Sequence, residues 1–114
     1  MARHILIKHK DSRRLHSWKD ADGTIIKRRR YVRKSIAVSI LCGLRQGISG
    51  PGDFSRLAWE YSDCSSAKRG GVLGPFGRGQ MQKSFEDAAF RLEVGGMSDI
   101  VETDLGMHII LRTG

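Results

Sequence analysis

The apolar residues of this chain follow two different periods, and the order of those periods constrains the fold. Near the two ends, residues 3–9 and 107–112 are short, mostly apolar runs, and each predicts a strand. Between them, apolar side chains recur at every fourth position, at Val32, Ile36, Ile40 and Leu44. That spacing predicts a helix that starts near Ile26 and ends near Gly47. Strands at the ends with helices between them predict an α+β domain.

The remaining segments complete the predicted order of elements. They are a turn at 48–52, a helix capped by Asp53, a strand at 72–76, a helix capped by Ser84, and strands at 100–103 and 107–112. The last two strands are joined by a short turn in which Gly106 can adopt a positive φ, so they should pair antiparallel. The sequence pattern alone therefore predicts the order β-α-α-β-α-β-β.

Length and composition limit the class of protein. A chain of 114 residues fits one domain, 1–114, with a core of its own. The longest apolar run is broken by Ser39 and Gly43 and falls short of the roughly 18 residues of a membrane span. The first residues lack the apolar stretch of a secretory signal, so the two cysteines are expected as thiols.

The excess of positive over negative charge is confined to the first third of the chain. The net charge is +8, but residues 1–34 hold 12 Lys or Arg against three Asp or Glu, whereas residues 35–114 hold eight against nine. The first third therefore predicts a local site for an anion, such as a phosphate, a nucleic acid or an acidic surface.

Two basic clusters could form that site. Paired guanidinium groups at Arg13 and Arg14 offer bidentate donors to a phosphate, and Lys8 adds a further charge. A solvated basic loop explains the same residues. The later run Lys27–Lys34 fits a nucleic-acid contact, a docking surface for an acidic partner, an import signal or simply a wet helix face.

The thiols and histidines leave alternatives open. Cys64 lies among hydroxyl and carboxyl side chains, as expected of a residue that lines a site, whereas Cys42 lies among apolar residues and is predicted to be buried. His4 and His108 each lie within a predicted strand. They could be satisfied core residues, or with Cys64 they could form a nucleophile pair or a zinc site, but neither Cys-x-x-Cys nor His-x-x-x-His spacing is present.

Six stretches of the sequence coincide with one family. They are His4–His9, Ser12–Arg14 with Trp18, Ser62–Lys68, Gly74–Lys83, Phe85–Ala88 and Thr103–Thr113. They are distributed along nearly the whole chain, and they resemble the parvulin peptidyl-prolyl cis-trans isomerases. The Arg13-Arg14 pair is similar to the subclass that acts on phosphorylated Ser/Thr-Pro bonds.

This resemblance implies a fold and an activity. The expected fold is α+β and FKBP-like, a four-stranded, mostly antiparallel sheet surrounded by four helices in the order β-α-α-α-β-α-β-β, with the additional short helix near Ser65–Arg69. The expected enzyme is a rotamase that turns phospho-Ser/Thr-Pro bonds non-covalently, without cofactor or metal. Its expected partners are phosphorylated proteins rather than membranes or nucleic acid, and we expect a monomer in cytoplasm and nucleus, in a single-domain form without a WW domain.

The resemblance also assigns roles to individual residues. The implied catalytic residues are His4, Cys64, His108 and Thr103. The implied phosphate-binding residues are Lys8, Arg13 and Arg14, and the implied proline pocket consists of Leu73, Met81, Gln82 and Phe85. Relatives often carry Ser where this chain has Leu105, which puts any contact of that hydroxyl in doubt. Relatives also often carry Pro in place of Ser84, and we expect little functional effect there.

Two other classes of function are alternatives to an isomerase. One is a phosphoprotein or nucleic-acid binding module with little catalysis, which would use the basic first third but would not need an apolar pocket at Leu73, Met81 and Phe85. The other is a cysteine hydrolase that uses Cys64, for which the sequence offers no recognisable oxyanion motif.

Overall fold

Residues 2–12, 33–74, 76–77 and 79–114 are described in the computed structural model of the chain. The elements, in chain order, are β1 (Ala2–Ile7), α1 (Lys34–Gln46), α2 (Pro51–Tyr61), a 3-10 helix (Ser65–Arg69), β2 (Val72–Gly74), α3 (Lys83–Arg91), β3 (Val101–Thr103) and β4 (Gly106–Arg112). The predicted order β-α-α-α-β-α-β-β is thus confirmed, and the predicted fourth helix is the 3-10 turn at the expected position.

The four strands form one fully antiparallel sheet in the order β2-β1-β4-β3. The two long strands, β1 and β4, lie at the centre and pair along six residues, from Ala2 opposite Arg112 to Ile7 opposite Met107. The edge strands β2 and β3 have three residues each. Short edges offer few unpaired backbone groups to another chain, which limits edge-to-edge association.

The two faces of the sheet carry two separate apolar clusters. Odd-numbered residues of β1 and β4 pack against α1 and α2; the strand members of this cluster are Ile5, Ile7, Met107, Ile109 and Leu111. Even-numbered residues face α3, where Ala2 and Ile110 pack with Phe85 and Ala89. Because both faces are covered, the central strands are buried almost without interruption and show no polar alternation.

Two helices begin where the sequence pattern did not predict. Helix α1 begins at Lys34, because Arg33 has an extended backbone, and the residues between the predicted start at Ile26 and position 32 lie outside the described part of the chain. Asp53 does not cap α2. Gly50 is the capping residue, and Asp53, in the first turn, accepts hydrogen bonds from the Ser49 backbone N–H at 3.1 Å and hydroxyl at 2.7 Å.

Helix α3 is also capped differently from the prediction. Its cap is Gln82, and Ser84 lies inside the first turn, where its hydroxyl donates to the backbone oxygen of Glu102 at 2.7 Å. This bond ties α3 to β3, so Ser84 fixes the position of the helix rather than its end.

A close backbone approach holds the 3-10 helix against β1. Gly71 has a φ of 85°, and its backbone oxygen accepts the N–H of His4 at 3.0 Å. A Cβ at this position would lie 2.5 Å from the His4 oxygen, which no side chain can tolerate without a shift. The glycine therefore lets the segment that follows Cys64 lie directly on the strand that carries His4.

Candidate active site

The strand register brings the two strand histidines together on the α3 face of the sheet. His4 of β1 pairs with Ile110 of β4, and Leu6 pairs with His108. His4 and His108 are therefore diagonal cross-strand neighbours with side chains on the same face. Their rings are nearly parallel, with centroids 5.3 Å apart and an interplanar angle of 21°.

A chain of hydrogen bonds passes through both imidazole rings. The two Nδ1 atoms are 3.1 Å apart, His4 Nε2 is 3.1 Å from the hydroxyl of Ser66, and His108 Nε2 is 2.7 Å from the hydroxyl of Thr103. The Leu105 backbone N–H donates to the same Thr103 oxygen at 3.2 Å. All four ring nitrogens are thus engaged, and one proton lies between the two Nδ1 atoms.

Both histidines are held in the neutral form. Their side chains are almost fully buried, and the loss of hydration lowers the pKa of His4 to about 4. Burial, together with repulsion from His4 once that ring is protonated, lowers the pKa of His108 to about 3. The pair can accept one proton, but a second proton would place two N–H groups face to face. Near neutral pH the centre of the site is therefore an uncharged hydrogen-bonded network.

An apolar wall built around Phe85 lies beside this network. The Phe85 ring stands edge-on to His4 at 5.6 Å and to His108 at 5.2 Å between ring centroids. Leu73 and Met81 are partly buried in the same cluster, so the structure brings together three of the four residues predicted for the proline pocket. Phe76, which the sequence did not single out, extends the wall, with its ring centroid 6.1 Å from that of Phe85.

Gln82 lies at the rim, next to the turn between β3 and β4. Its side-chain oxygen accepts the backbone N–H of Asp104 at 2.9 Å, which leaves its amide NH2 as the group able to donate to a bound peptide. Leu105 lies in the same turn. Its backbone N–H, not its side chain, supports Thr103, so the missing hydroxyl at this position leaves the histidine network intact.

Cys64 lies at the start of the 3-10 helix and is partly exposed. Its backbone N–H is 3.4 Å from the hydroxyl of Ser62, and its backbone oxygen accepts the N–H of Ala67 at 2.9 Å. Within the described segments, no hydrogen bond joins its sulfur to either strand histidine. The thiol therefore shares a neighbourhood with the histidines, through Ser66, but not a proton-transfer contact.

Lys8 is fixed next to the segment that carries Cys64. Its backbone N–H donates to the carboxylate of Asp63 at 2.9 Å, and the Asp63 N–H donates to the Leu6 oxygen at 2.7 Å. These two bonds join the end of β1 to the residue before Cys64. Arg13 and Arg14, the other predicted phosphate-binding residues, lie outside the described residues, as does Trp18.

Two residues that support the site were missed by the sequence analysis. Ser66 and Asp63 are both buried, and both lie in the polar stretch that flanks Cys64. Their position beside that cysteine was the available signal, but only the tertiary contacts reveal which partner each one holds. The prediction that Cys42 is buried is wrong, because it lies on the exposed side of α1.

The described residues contain neither a membrane-spanning helix nor a cluster of metal-binding side chains. None of the helices in the described ranges is both long and apolar enough to cross a membrane. In the same ranges, no group of three or more His, Cys, Asp or Glu side chains is arranged to hold a metal ion.

Comparison with known proteins relates this geometry to a reaction. Residues 4–114 match the rotamase family of PPIC-type PPIase domains. The peptidyl-prolyl cis-trans isomerase Pin1 of Malus domestica is 63% identical over 114 residues, which cover 99% of this chain and 92% of the relative. The isomerase ESS1 of Saccharomyces cerevisiae is 52% identical over 111 residues, which cover 97% of this chain and 63% of that protein.

Solved structures agree with the sequence relatives. The isomerase ESS1 from Candida albicans superimposes with a TM-score of 0.85 at 46% identity, covering 99% of this chain and 61% of that one. The solution structure of TbPIN1 gives a TM-score of 0.82 at 39% identity, covering 99% and 95%. With the match over residues 4–114, these similarities show that the chain belongs to the parvulin family and is a peptidyl-prolyl cis-trans isomerase.

Proposed function

We propose that this isomerase acts on Ser/Thr-Pro bonds whose Ser or Thr is phosphorylated, and that it does so without a covalent intermediate. The observation that carries the second part is the engagement of all four ring nitrogens of His4 and His108. The first part is supported by the fixed position of Lys8 beside the Cys64 segment and by the basic sequence that follows it.

The reaction needs a particular kind of help from the protein. An X-Pro amide rotates over a barrier of about 18–20 kcal/mol because the resonance of the planar bond must be lost. Uncatalysed exchange takes tens to hundreds of seconds. Since no bond is broken, the enzyme has to favour the twisted amide over both planar forms. Holding the groups on both sides of the bond leaves the carbonyl between them as the part that rotates.

The apolar wall suits the proline side of that bond. Phe85, Leu73 and Met81 offer an apolar contact surface for the pyrrolidine ring, and the buried neutral histidines beside them keep full charges away from it. Twisting an amide reduces its dipole, so an uncharged and poorly hydrated surface favours the twisted form relative to water. The histidine network acts here as a rigid neutral support, with Thr103 and Ser66 fixing its two ends.

Cys64 fits an electrostatic role better than a nucleophilic one. A cysteine nucleophile needs a general base within hydrogen-bond reach, and each imidazole nitrogen already has another partner. A polarisable thiol at the edge of the site can instead stabilise the rotating carbonyl at close range. The resemblance to the parvulins implies that a carboxylate can take the same role at this position.

The phosphate side of the site would be formed by the segment after β1. Lys8 is held at the end of the strand by Asp63, and Arg13 and Arg14 follow five and six residues later in the sequence. Three cations of this kind neutralise a dianionic phosphate, and two guanidinium groups can bind its oxygens in pairs. A phosphate bound there would fix the residue that precedes the proline.

The phosphate preference is tested by exchange spectroscopy on three peptides that differ only in the residue before proline, phosphoserine, serine or glutamate. The wild type should exchange the phosphopeptide fastest. Arg13→Ala combined with Arg14→Ala should slow the phosphopeptide at least tenfold and change the others much less. Arg56→Ala combined with Arg91→Ala removes the same charge from exposed helix positions outside the candidate site and serves as the control. Equal losses on all three peptides would contradict the proposal.

The non-covalent step is tested at Cys64. Cys64→Asp should keep measurable exchange because it keeps a polar group beside the carbonyl, whereas Cys64→Leu should lose much more. Mass spectrometry of the wild type mixed with substrate should find no adduct. A trapped tetrahedral adduct between the Cys64 sulfur and the amide carbonyl carbon, together with a folded but inactive Cys64→Asp, would overturn this part of the proposal.

A further inference from the structure

His9 is a buried histidine for which the reaction described above has no use. Only 2% of its surface is exposed, although it lies just after β1 in a polar segment. Its backbone N–H donates to the hydroxyl of Ser12 at 2.9 Å, and its backbone oxygen accepts the N–H of Ser12 at 3.0 Å. Its ring nitrogen Nδ1 accepts the N–H of Asp11 at 3.1 Å. One residue thus makes all three bonds that close the turn from His9 to Ser12.

The third of these bonds fixes the tautomer of the ring. Because Nδ1 accepts from Asp11, the proton of neutral His9 is on Nε2. Nε2 is buried, and it has no hydrogen-bond partner among the described residues. A buried donor without a partner is unfavourable, whereas an apolar side chain of similar size would carry no such donor. An apolar residue, however, could not accept the hydrogen bond that the backbone N–H of Asp11 donates to Nδ1.

The surroundings keep the ring in the form that can accept. Burial is the largest effect and lowers the pKa of His9; the charge of Lys34 acts in the same direction, while Asp11 and Glu102 oppose it. Protonation would put a hydrogen on Nδ1 and break the bond to the N–H of Asp11. The turn is therefore closed at neutral pH, when His9 is uncharged.

The turn lies between residues predicted to bind phosphate. Lys8 comes directly before it and Arg13 directly after it, so it joins the predicted phosphate-binding cations. Lys8 is anchored to Asp63 on the other side. The closed turn fixes the backbone from His9 to Ser12, the residue that directly precedes Arg13 in the sequence. Cations held in place before the substrate arrives lose less conformational entropy when they bind it.

We propose that His9 is a positioning residue for phosphate recognition, and that its Nδ1 does this by closing the turn between Lys8 and Arg13. The proposal rests on the proposed phosphate preference. It assigns His9 no contact with the rotating bond, so its loss should affect phosphorylated substrates selectively.

Three substitutions separate the acceptor from the rest of the side chain. Asn places an amide oxygen close to the position of Nδ1, so His9→Asn keeps an acceptor for the N–H of Asp11. Gln reaches towards the position of Nε2, so His9→Gln keeps a polar amide but loses that acceptor. His9→Leu removes both nitrogens. kcat/KM is measured for each variant with the phosphoserine, serine and glutamate peptides.

His9→Leu and His9→Gln should lower kcat/KM for the phosphopeptide about tenfold, which corresponds to about 1.4 kcal/mol of lost transition-state binding. The serine and glutamate peptides should change less than about twofold, and His9→Asn should restore most of the loss. If His9→Leu does not fold, the comparison of Gln with Asn carries the same test.

The outcomes distinguish this inference from the proposed function. If the wild type shows no preference for the phosphopeptide, the proposed function fails and the inference fails with it. If the wild type shows the preference but His9→Gln keeps it, only the inference fails. Equal losses on all three peptides, or no rescue by a folded His9→Asn, would show that His9 has a structural role alone.

Discussion

Lowering the pH should destabilise this protein mainly through its two buried strand histidines. The folded-state pKa values of His4 and His108, about 4 and 3, lie below the ordinary value of 6.5. The contribution of the neutral rings is therefore complete above pH 6.5 and is lost as the pH falls from there towards the folded-state values. Each unfolded ring takes up a proton that the folded protein excludes.

The expected size follows from these values. At pH 5 each histidine is almost wholly protonated in the unfolded chain and mostly neutral in the folded one, which lowers the unfolding free energy by about 2 kcal/mol per ring. The two together remove about 4 kcal/mol, a large share of the about 5–15 kcal/mol that stabilises a domain. Below pH 6 the slope of the unfolding free energy against pH approaches about 2.7 kcal/mol per pH unit, the value expected when unfolding is coupled to the uptake of two protons. His9 acts in the same direction.

The assay is urea unfolding followed by far-UV circular dichroism at half-unit steps from pH 7.5 to 4.5. His4→Leu combined with His108→Leu removes both titrating rings, so its slope should fall to the part contributed by other groups. NMR of the histidine Cε1–H signals provides a check that does not depend on the variant folding. A wild-type stability that is flat from pH 7 to 5, or a ring of this pair titrating near 6.5 in the folded state, would refute the reasoning.

Three further substitutions test single contacts by urea unfolding. Gly71→Ala should destabilise the protein by more than the about 1–2 kcal/mol expected for a left-handed Ala, because the new Cβ would meet the His4 oxygen; Gly74→Ala, at a positive φ with open space, is the matched control and should show only that smaller loss. Ser66→Ala should cost about 1–3 kcal/mol, because His4 Nε2 loses its partner while buried, and an unchanged midpoint would mean that another group replaces it. Glu102→Gln removes the half-exposed ion pair with Lys34 and should leave the midpoint within error, so a clear loss would show a stronger pair than its exposure suggests.

The sequence predicted most of the fold because its apolar periods are local. Residues 3–9 and 107–112 are mostly apolar runs, as expected for strands covered on both faces. The inner side of α1 consists of Ala37 and Leu41, with Ile40 and Leu44 packed beside them, whereas Ile36 of the predicted stripe is exposed. The predicted start of α1 was wrong because the four-residue spacing of apolar side chains extends back to Val32, before the first helical residue, Lys34. Cations at a helix N-terminus oppose its dipole, and α1 begins at Lys34, after most of that basic run.

The site was harder to predict because it depends on pairings between distant residues. The apolar neighbours of His4 and His108 place both residues in strands. Their contact, however, depends on the register of β1 against β4, because a slip of one residue would move the side chains of one strand to the other face of the sheet. The role of Ser66 depends in turn on the approach of Gly71 to β1. The prediction that Ser84 caps α3 failed for the same reason. Its hydroxyl donates to the backbone oxygen of Glu102, a distant residue that a local capping pattern does not include.

The odd-numbered and even-numbered residues of β1 and β4 lie on opposite faces of the sheet, so stability and catalysis can change independently in this enzyme. Substitutions among Ile5, Ile7 and Ile109 change how tightly the helical layer is held, while their even-numbered neighbours line the reaction face. A library randomised only at odd positions should therefore yield proteins that melt over a wide range of temperatures yet turn over substrate alike. Directed evolution could therefore raise the melting temperature through substitutions on the odd-numbered face without changing the active-site residues on the other face.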